Sequence, residues 1–179
     1  MVLFIGSRVA VEVARGLMSP APPALGPFVT RMRAWPMDCD IFLHLNNAML
    51  ARCAELARWR LLASTGMLRT VLREKWQFLV AEQTLTYKRQ IPLGRRFRIE
   101  TSVSATDNKW LHYSHNFQSL DGATDLGTAH VRAVLKLSSG KTVPPHDALR
   151  GNAWFADQLA RSSEAAAAEQ RAGGAAAPQ

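Results

Sequence analysis

The sequence predicts an α+β fold in which an antiparallel sheet wraps around one long helix. Three observations predict it. Leu50, Cys53, Ala54, Ala57 and Leu61 recur at the spacing of a single apolar helix stripe. Downstream, four segments alternate apolar and polar residues with period two, as half-buried strands do. Short turn signals at Pro92-Leu93-Gly94, Asp107-Asn108 and Asp121-Gly122 join those segments and predict antiparallel neighbours. A helix with one apolar stripe needs a surface to bury it, and one face of such a sheet supplies that surface.

The chain reads as one domain with extensions. Residues 1–26 form an N-terminal helix and a Pro-rich linker, 27–150 the domain, and 151–179 a C-terminal helix with a low-complexity tail. At the start, Ile5, Val9, Val13 and Leu17 at intervals of four predict a short amphipathic helix packed on the body or on a partner subunit. A membrane-surface contact is the second reading of that helix, and the weaker one. Arg8, Glu12 and Arg15 interrupt it, so no charge-free run approaches the roughly 20 residues that span a bilayer. They also break up the apolar core that a signal peptide needs. Ser19-Pro20-Ala21-Pro22-Pro23 ends the helix as a linker.

The remaining elements follow in order. Phe28 to Trp35 alternates as a first strand. The central helix starts at Asn47 and stops near Gly66, a residue suited to a C-terminal cap. Met67 to Trp76 reads as a second short helix or crossover. Residues 78–89 put Leu79, Ala81, Leu85 and Tyr87 on one face, and residues 96–105 put Phe97, Ile99, Val103 and Ala105 on one face. Leu111, Tyr113 and Phe117 oppose His112, Ser114 and Asn116, and Ala129, Val131, Ala133, Leu135 and Leu137 oppose His130, Arg132 and Lys136. Residues 153–171 can form a helix, and 172–179 carry no core residue.

Composition narrows the function classes. With 47% hydrophobic and 20% charged residues the chain is globular. Its net charge of +8 suits a polyanionic partner. No basic run with interleaved aromatics stands out, so a small phosphorylated ligand is favoured over nucleic acid. The two cysteines, Cys39 and Cys53, read as reduced thiols of a cytoplasmic protein, and neither has a partner at metal-ligand spacing.

Chemistry concentrates in Asp38-Cys39-Asp40-Ile41-Phe42-Leu43-His44-Leu45-Asn46-Asn47, where two carboxylates, a histidine and two asparagines precede the central helix. Asn46 or Asn47 can cap the helix. An acidic turn thus sits beside free amides at the positive end of a helix dipole, which suits polarising a carbonyl next to a carboxylate.

Asp38-x-Asp40-x3-His44-x-Asn46-Asn47-Ala48 resembles the D-x-D-x-x-G-H-x-N-N-A-x-Y signature of hotdog-fold acyl-CoA thioesterases, the relatives of 4-hydroxybenzoyl-CoA thioesterase. Glu55-Leu56-Ala57-Arg58 is similar to the helix of that family, nearest the subgroup around thioesterase superfamily member 6, and the likeness covers residues 27–150. Leu43 stands where the family has glycine, and Leu50 where it has a helix tyrosine. The resemblance implies a hotdog sheet around a central helix and hydrolysis of an acyl-CoA. It implies no metal or redox cofactor, coenzyme A entering only as part of the substrate. It also implies a homodimer or dimer of dimers with ligand pockets at the subunit boundary.

Carried over residue by residue, the resemblance makes Asp40 the catalytic acid, either general base toward water or nucleophile toward the thioester. It puts the main-chain N–H of Asn47 where the family polarises the carbonyl. His44 can orient water or the thioester, and Asn46 caps the helix beside the substrate. Asp38 reads as structural, hydrogen-bonding the turn. Glu55 lies eight residues beyond Asn47, roughly 12 Å along a helix, and is better placed to pair with Arg52 or Arg58. Ser64 has no acid–base partner nearby. Lys88, Arg89, Arg95 and Arg96 bracket Ile91-Pro92-Leu93-Gly94 as candidates for the phosphates of coenzyme A, on what reads as a charged hairpin end. Two rivals share the fold. A dehydratase of this fold resembles D-x4-H, whereas Asp40 and His44 are three residues apart. A non-catalytic acyl-CoA-binding protein would bind the ester without turning it over.

Overall fold

The structure, a computed structural model, describes residues 2–19, 27–105 and 109–174. The Pro-rich linker over 20–26, the turn expected at Asp107-Asn108 and residues 175–179 of the tail lie outside the described residues. The elements run α1 (Val2–Met18), β1 (Phe28–Arg33), a 3-10 turn (Pro36–Asp38), α2 (Asn47–Ser64), α3 (Met67–Arg73), β2 (Gln77–Tyr87), β3 (Arg96–Ser104), β4 (Leu111–Ser119), β5 (Asp125–Lys136), β6 (Thr142–Val143), α4 (Pro145–Leu149) and α5 (Ala153–Gly174). The strands form one antiparallel sheet in the order β1-β3-β4-β5-β2, with β6 on the end of β5. The sheet curls around α2, as the α+β reading requires.

α2 buries the stripe its sequence presents: Leu50, Cys53, Ala54, Ala57 and Leu61 are all inside. Leu50, Cys53, Ala54 and Ala57 meet Phe97, Ile99, Phe117 and Ala129 from β3, β4 and β5. Each fully buried Leu, Ile or Phe of this set contributes on the order of 1.5–3 kcal/mol of transfer free energy. A second cluster closes the far end of the helix, where Leu61, Leu62 and Met67 pack with Val103, Tyr113 and Leu135. Trp154, Phe155 and Leu159 of α5 join that cluster.

Three expectations are corrected. First, β2 and β3 are not a hairpin. β2 lies at the opposite edge of the sheet, paired with β5. The segment between them crosses the end of the sheet because it is tied to the acidic turn instead. The Leu45 N–H donates to Ile91 O at 2.8 Å, the Leu93 N–H to Leu43 O at 2.8 Å, and His44 bridges Pro92. Second, β2 does not keep one alternating face. A register shift between Val80 and Glu82 puts an extra residue into the strand. Phe78 therefore faces inward before the bulge and Leu85 after it, while Leu79 is exposed.

Third, α1 packs on α2, but through a row beside the expected one. Leu17 is exposed, and the contact runs through Arg8, Val9, Glu12 and Gly16. A Cβ on Gly16 would stand 2.6 Å from Arg60 O, so the helices approach closest there. Glu12 is buried and accepts from Arg15 at 2.7 Å and Arg60 at 3.4 Å. Ion pairs as well as apolar contact hold this helix in place, which an apolar-spacing rule does not register. Among the described residues, no helix is long and apolar enough to cross a membrane.

Candidate active site

The acidic turn combines hydrogen bonds between near neighbours with ties to α1 and to the segment after β2. Asp38 is buried, pairs with Arg8 of α1 and accepts from the Trp35 N–H at 3.3 Å, while its carbonyl accepts from the Asn46 N–H at 2.8 Å. It is the anchor of the turn, as expected. The Asp40 N–H donates to His44 O at 3.0 Å and Asp40 O accepts from the Leu43 N–H at 3.0 Å, closing a tight loop. Leu43 sits at φ 59° in that loop, in the left-handed region. The position where the signature has glycine thus keeps a glycine-like backbone, at a strain on the order of 1–2 kcal/mol for a residue with a Cβ.

The carboxylate of Asp40 is half-buried and only partly engaged. Oδ1 accepts from the Phe42 N–H at 2.9 Å, and Oδ2 has no partner among the described residues. Next to it begins α2. Asn46 caps the helix, its side-chain oxygen accepting from the Ala48 N–H at 2.9 Å and its carbonyl from the Met49 N–H at 2.9 Å. Asn47 is the first helical residue, and its N–H is left without a partner among the described residues. The Tyr87 hydroxyl of β2 donates to Asn47 O at 3.1 Å and pins this terminus to the sheet edge.

One cleft of about 400 Å³ collects Asp40, His44, Asn46, Asn47, Tyr87, Lys88 and Arg89. β2 delivers Tyr87, and the crossover after it delivers Lys88 and Arg89, whose N–H groups both donate to Leu126 O, at 3.0 and 3.1 Å. Lys88 also reaches Asp125 at 3.3 Å on the surface. Arg95 and Arg96 do not join the cleft; they line a separate open depression with Leu120 and Asp121. The four basic residues therefore divide into two pairs. Glu55 pairs with Arg52 across one helical turn, and the Ser64 hydroxyl donates to Leu61 O.

Neither thiol is suited to attack. Burial, then the Asp38 and Asp40 charges, push the Cys39 thiol up. Burial pushes Cys53 up to about 12. Among the described residues no three His, Cys, Asp or Glu side chains converge as metal ligands would.

Tyr87 escaped the functional reading of the sequence, which placed it only on one face of β2 together with Leu85. A second polar group was missed altogether. Arg58 and His115 are both buried, with Arg58 Nη1 3.2 Å from His115 Nε2 and His115 Nδ1 2.9 Å from Thr101 Oγ1. The signal was there: His115 falls on the buried register of Leu111, Tyr113 and Phe117. Burial, then the charges of Arg58 and His130, hold His115 well below its ordinary pKa, so the ring is neutral. Since Arg58 can only donate, Nε2 accepts and Nδ1–H donates to Thr101.

A family model described as the thioesterase-like superfamily matches residues 34–155. Protein THEM6 of Danio rerio is 28% identical over 101 residues, 56% of this chain and 50% of that protein. The chain spans about half the length of the curated relatives it matches. The hypothetical protein SAV2348 from Staphylococcus aureus, solved in complex with CoA, superposes with a TM-score of 0.65 at 17% identity, covering 77% of this chain and 90% of that one. A 1,4-dihydroxy-2-naphthoyl-CoA thioesterase from Synechocystis superposes with a TM-score of 0.63 at 12% identity, covering 70% and 93%. At these identities the likeness carries the fold, and that fold is the hotdog.

Proposed function

The chain belongs to the thioesterase-like superfamily, and on that premise we propose that it hydrolyses an acyl-CoA thioester to a carboxylic acid and free coenzyme A. The observation that carries this reading is a pair of unsatisfied groups in one cleft: the free oxygen of Asp40 and the free N–H of Asn47. The Asn47 N–H, at the positive end of α2, donates to the thioester oxygen and stabilises the charge that develops there. Asp40 takes a proton from water as its oxygen attacks the carbonyl carbon. The tetrahedral adduct then collapses, the C–S bond breaks, and the departing sulfur takes up that proton. In the other route open to the same carboxylate, Asp40 attacks the carbonyl itself, the C–S bond breaks to release the coenzyme A thiolate, and water hydrolyses the resulting anhydride, its proton going to the thiolate. His44 orients the water, and Asn46 holds the helix terminus against the substrate.

Lys88 and Arg89 meet the phosphates of coenzyme A as exposed charges at the cleft, and Arg95 and Arg96 form a second anchor for them further along the surface. The CoA complex of the superposed Staphylococcus aureus protein supports a ligand of this type. The active form is a homodimer or a dimer of dimers. β2 ends the sheet, with Leu79, Val80 and Tyr87 exposed along it, and such an edge is a template for pairing with a second copy. Light scattering at micromolar concentration should give a dimer or larger; a stable monomer contradicts it.

Thiol release from a panel of acyl-CoAs tests the activity. Release well above the uncatalysed rate for at least one ester is the expected result. Tight binding of the esters without release would make the protein an acyl-CoA binder instead.

A further inference from the structure

The buried face of α2 carries an arginine that belongs to no ion pair among the described residues. Arg58 is 6% exposed, and no carboxylate pairs with it among the described residues. Glu55, one turn earlier, is already held by Arg52. The one hydrogen bond Arg58 makes is to His115, and that ring is neutral and fixed by Thr101. A guanidinium has five N–H donors, so a single neutral acceptor leaves most of its capacity open, and the charge of Glu55 reaches it without forming an ion pair. Burying such a cation is unfavourable unless a counter-charge arrives.

Arg58 lines a groove of about 600 Å³ between α2, α3 and β2. Its walls are mostly apolar, Trp59, Leu62, Val71, Trp76 and Phe78 among them, with Arg52, Glu55 and Gln83 as further polar members. The groove starts at Ala48 and Ala51, the other side of the helix terminus that carries Asn47. Arg58 lies eleven residues from Asn47, roughly 16 Å along the helix. An extended hydrocarbon chain with its thioester at Asn47 would run along aromatic and aliphatic walls and end at a buried positive charge.

We propose that this groove holds the acyl chain and that Arg58, three helical turns from Asn47, binds a carboxylate at the end of that chain, so that the substrate class is an acyl-CoA with a terminal carboxylate. The assignment rests on the thioesterase reading for the direction in which the chain lies. Arg58 is here a specificity-determining residue: it touches the end of the substrate remote from the reacting bond.

Two of the chain's five tryptophans, Trp59 and Trp76, line the groove, so occupancy is read from tryptophan fluorescence without any turnover. The probes are the monomethyl esters of decanedioic, dodecanedioic and tetradecanedioic acids, each against the dimethyl ester of the same acid, which lacks the carboxylate. The wild-type chain should bind the best monoester roughly ten- to a hundredfold more tightly than its diester partner, the range of a charge-assisted hydrogen bond. Arg58→Met, which keeps the apolar stem, should lose that preference, and Arg58→Lys should keep part of it. Equal binding of the two esters by the wild-type chain overturns the proposal without need of any variant. A preference that survives in folded Arg58→Met overturns it as well. Hydrolysis of many acyl-CoAs with no preference for a terminal carboxylate would sink this inference alone. Monoester binding with no hydrolysis of any acyl-CoA would instead sink the thioesterase reading and leave the Arg58 site standing.

Discussion

At the N-terminus of α2 the polar groups face an open cleft, and the hydrogen bonds of Asp40, Asn46 and Asn47 run between residues 38 and 49, apart from the tie to Tyr87. Three turns along the same helix, Arg58 and His115 lie buried under the sheet, partners 57 residues apart in the chain, with Arg58 also on the wall of the apolar groove. Both constellations place charge near a neutral hydrogen-bonding group. They differ in what is left unsatisfied. The cleft keeps a carboxylate oxygen and an amide free at the surface, where a substrate and water can reach them. The interior fixes its ring completely and leaves only the cation wanting a partner. Damage to the first should therefore show in rate, and damage to the second in stability and in the choice of ligand.

The sharpest contrast comes from Asp40→Asn. Asparagine can still accept from the Phe42 N–H, so the loop keeps its shape, but basicity and nucleophilicity are gone. We expect kcat for thiol release to fall by roughly 10²–10⁴. Next in size is the amide itself. Asn47→Ala retains the N–H and should retain much of the activity. Asn47→Pro lacks it and should lose on the order of 10²–10³ in kcat. Proline is tolerated at the first position of a helix, and circular dichroism would check that both variants are folded. Equal activity of the two would move carbonyl polarisation away from the helix terminus.

The interior responds to pH. In the folded chain His115 stays neutral, whereas in the unfolded chain it takes up a proton below about 6.5. The unfolded state then binds more protons, so stability declines as pH falls below that value, by at most about 1.4 kcal/mol per pH unit from this group. Urea midpoints between neutral and mildly acid pH would show the slope. His115→Gln offers the same donor and acceptor without titrating, and should flatten it. The smallest effect belongs to Leu43→Gly. Relief of the left-handed strain is partly offset by glycine's freedom in the unfolded chain, leaving a gain of up to about 1 kcal/mol in the urea midpoint. A loss there would mean that the Leu43 side chain contributes more than its backbone costs.

The same contrast decides how much could be read from the sequence. The acidic turn and the helix start were legible because their partners are near neighbours: Asn46 caps its own helix, and Asp40 closes its own loop. β3, β4 and β5 were legible because their alternation is unbroken over the residues that face α2. β2 was not, since one extra residue near Ala81 reverses the face midway. Nor could local turn chemistry show that Ile91 and Leu93 hydrogen-bond the acidic turn, which sends β2 to the far edge and splits the four basic residues into two pairs. Arg58 was readable only as a helix-surface charge. Its burial depends on His115 and Thr101 arriving from β4 and β3, and no spacing within α2 reports that.

The measurement that tests the account most directly is kcat for thiol release and the urea midpoint, taken on the same preparations of wild-type protein and Asp40→Asn. The predicted result is a rate lower by two orders of magnitude or more, on the scale of a lost acid–base group, with the midpoint unchanged. A folded Asp40→Asn protein that turns over acyl-CoA at the wild-type rate would contradict it, and with it the assignment of the cleft at the head of α2 as the catalytic site.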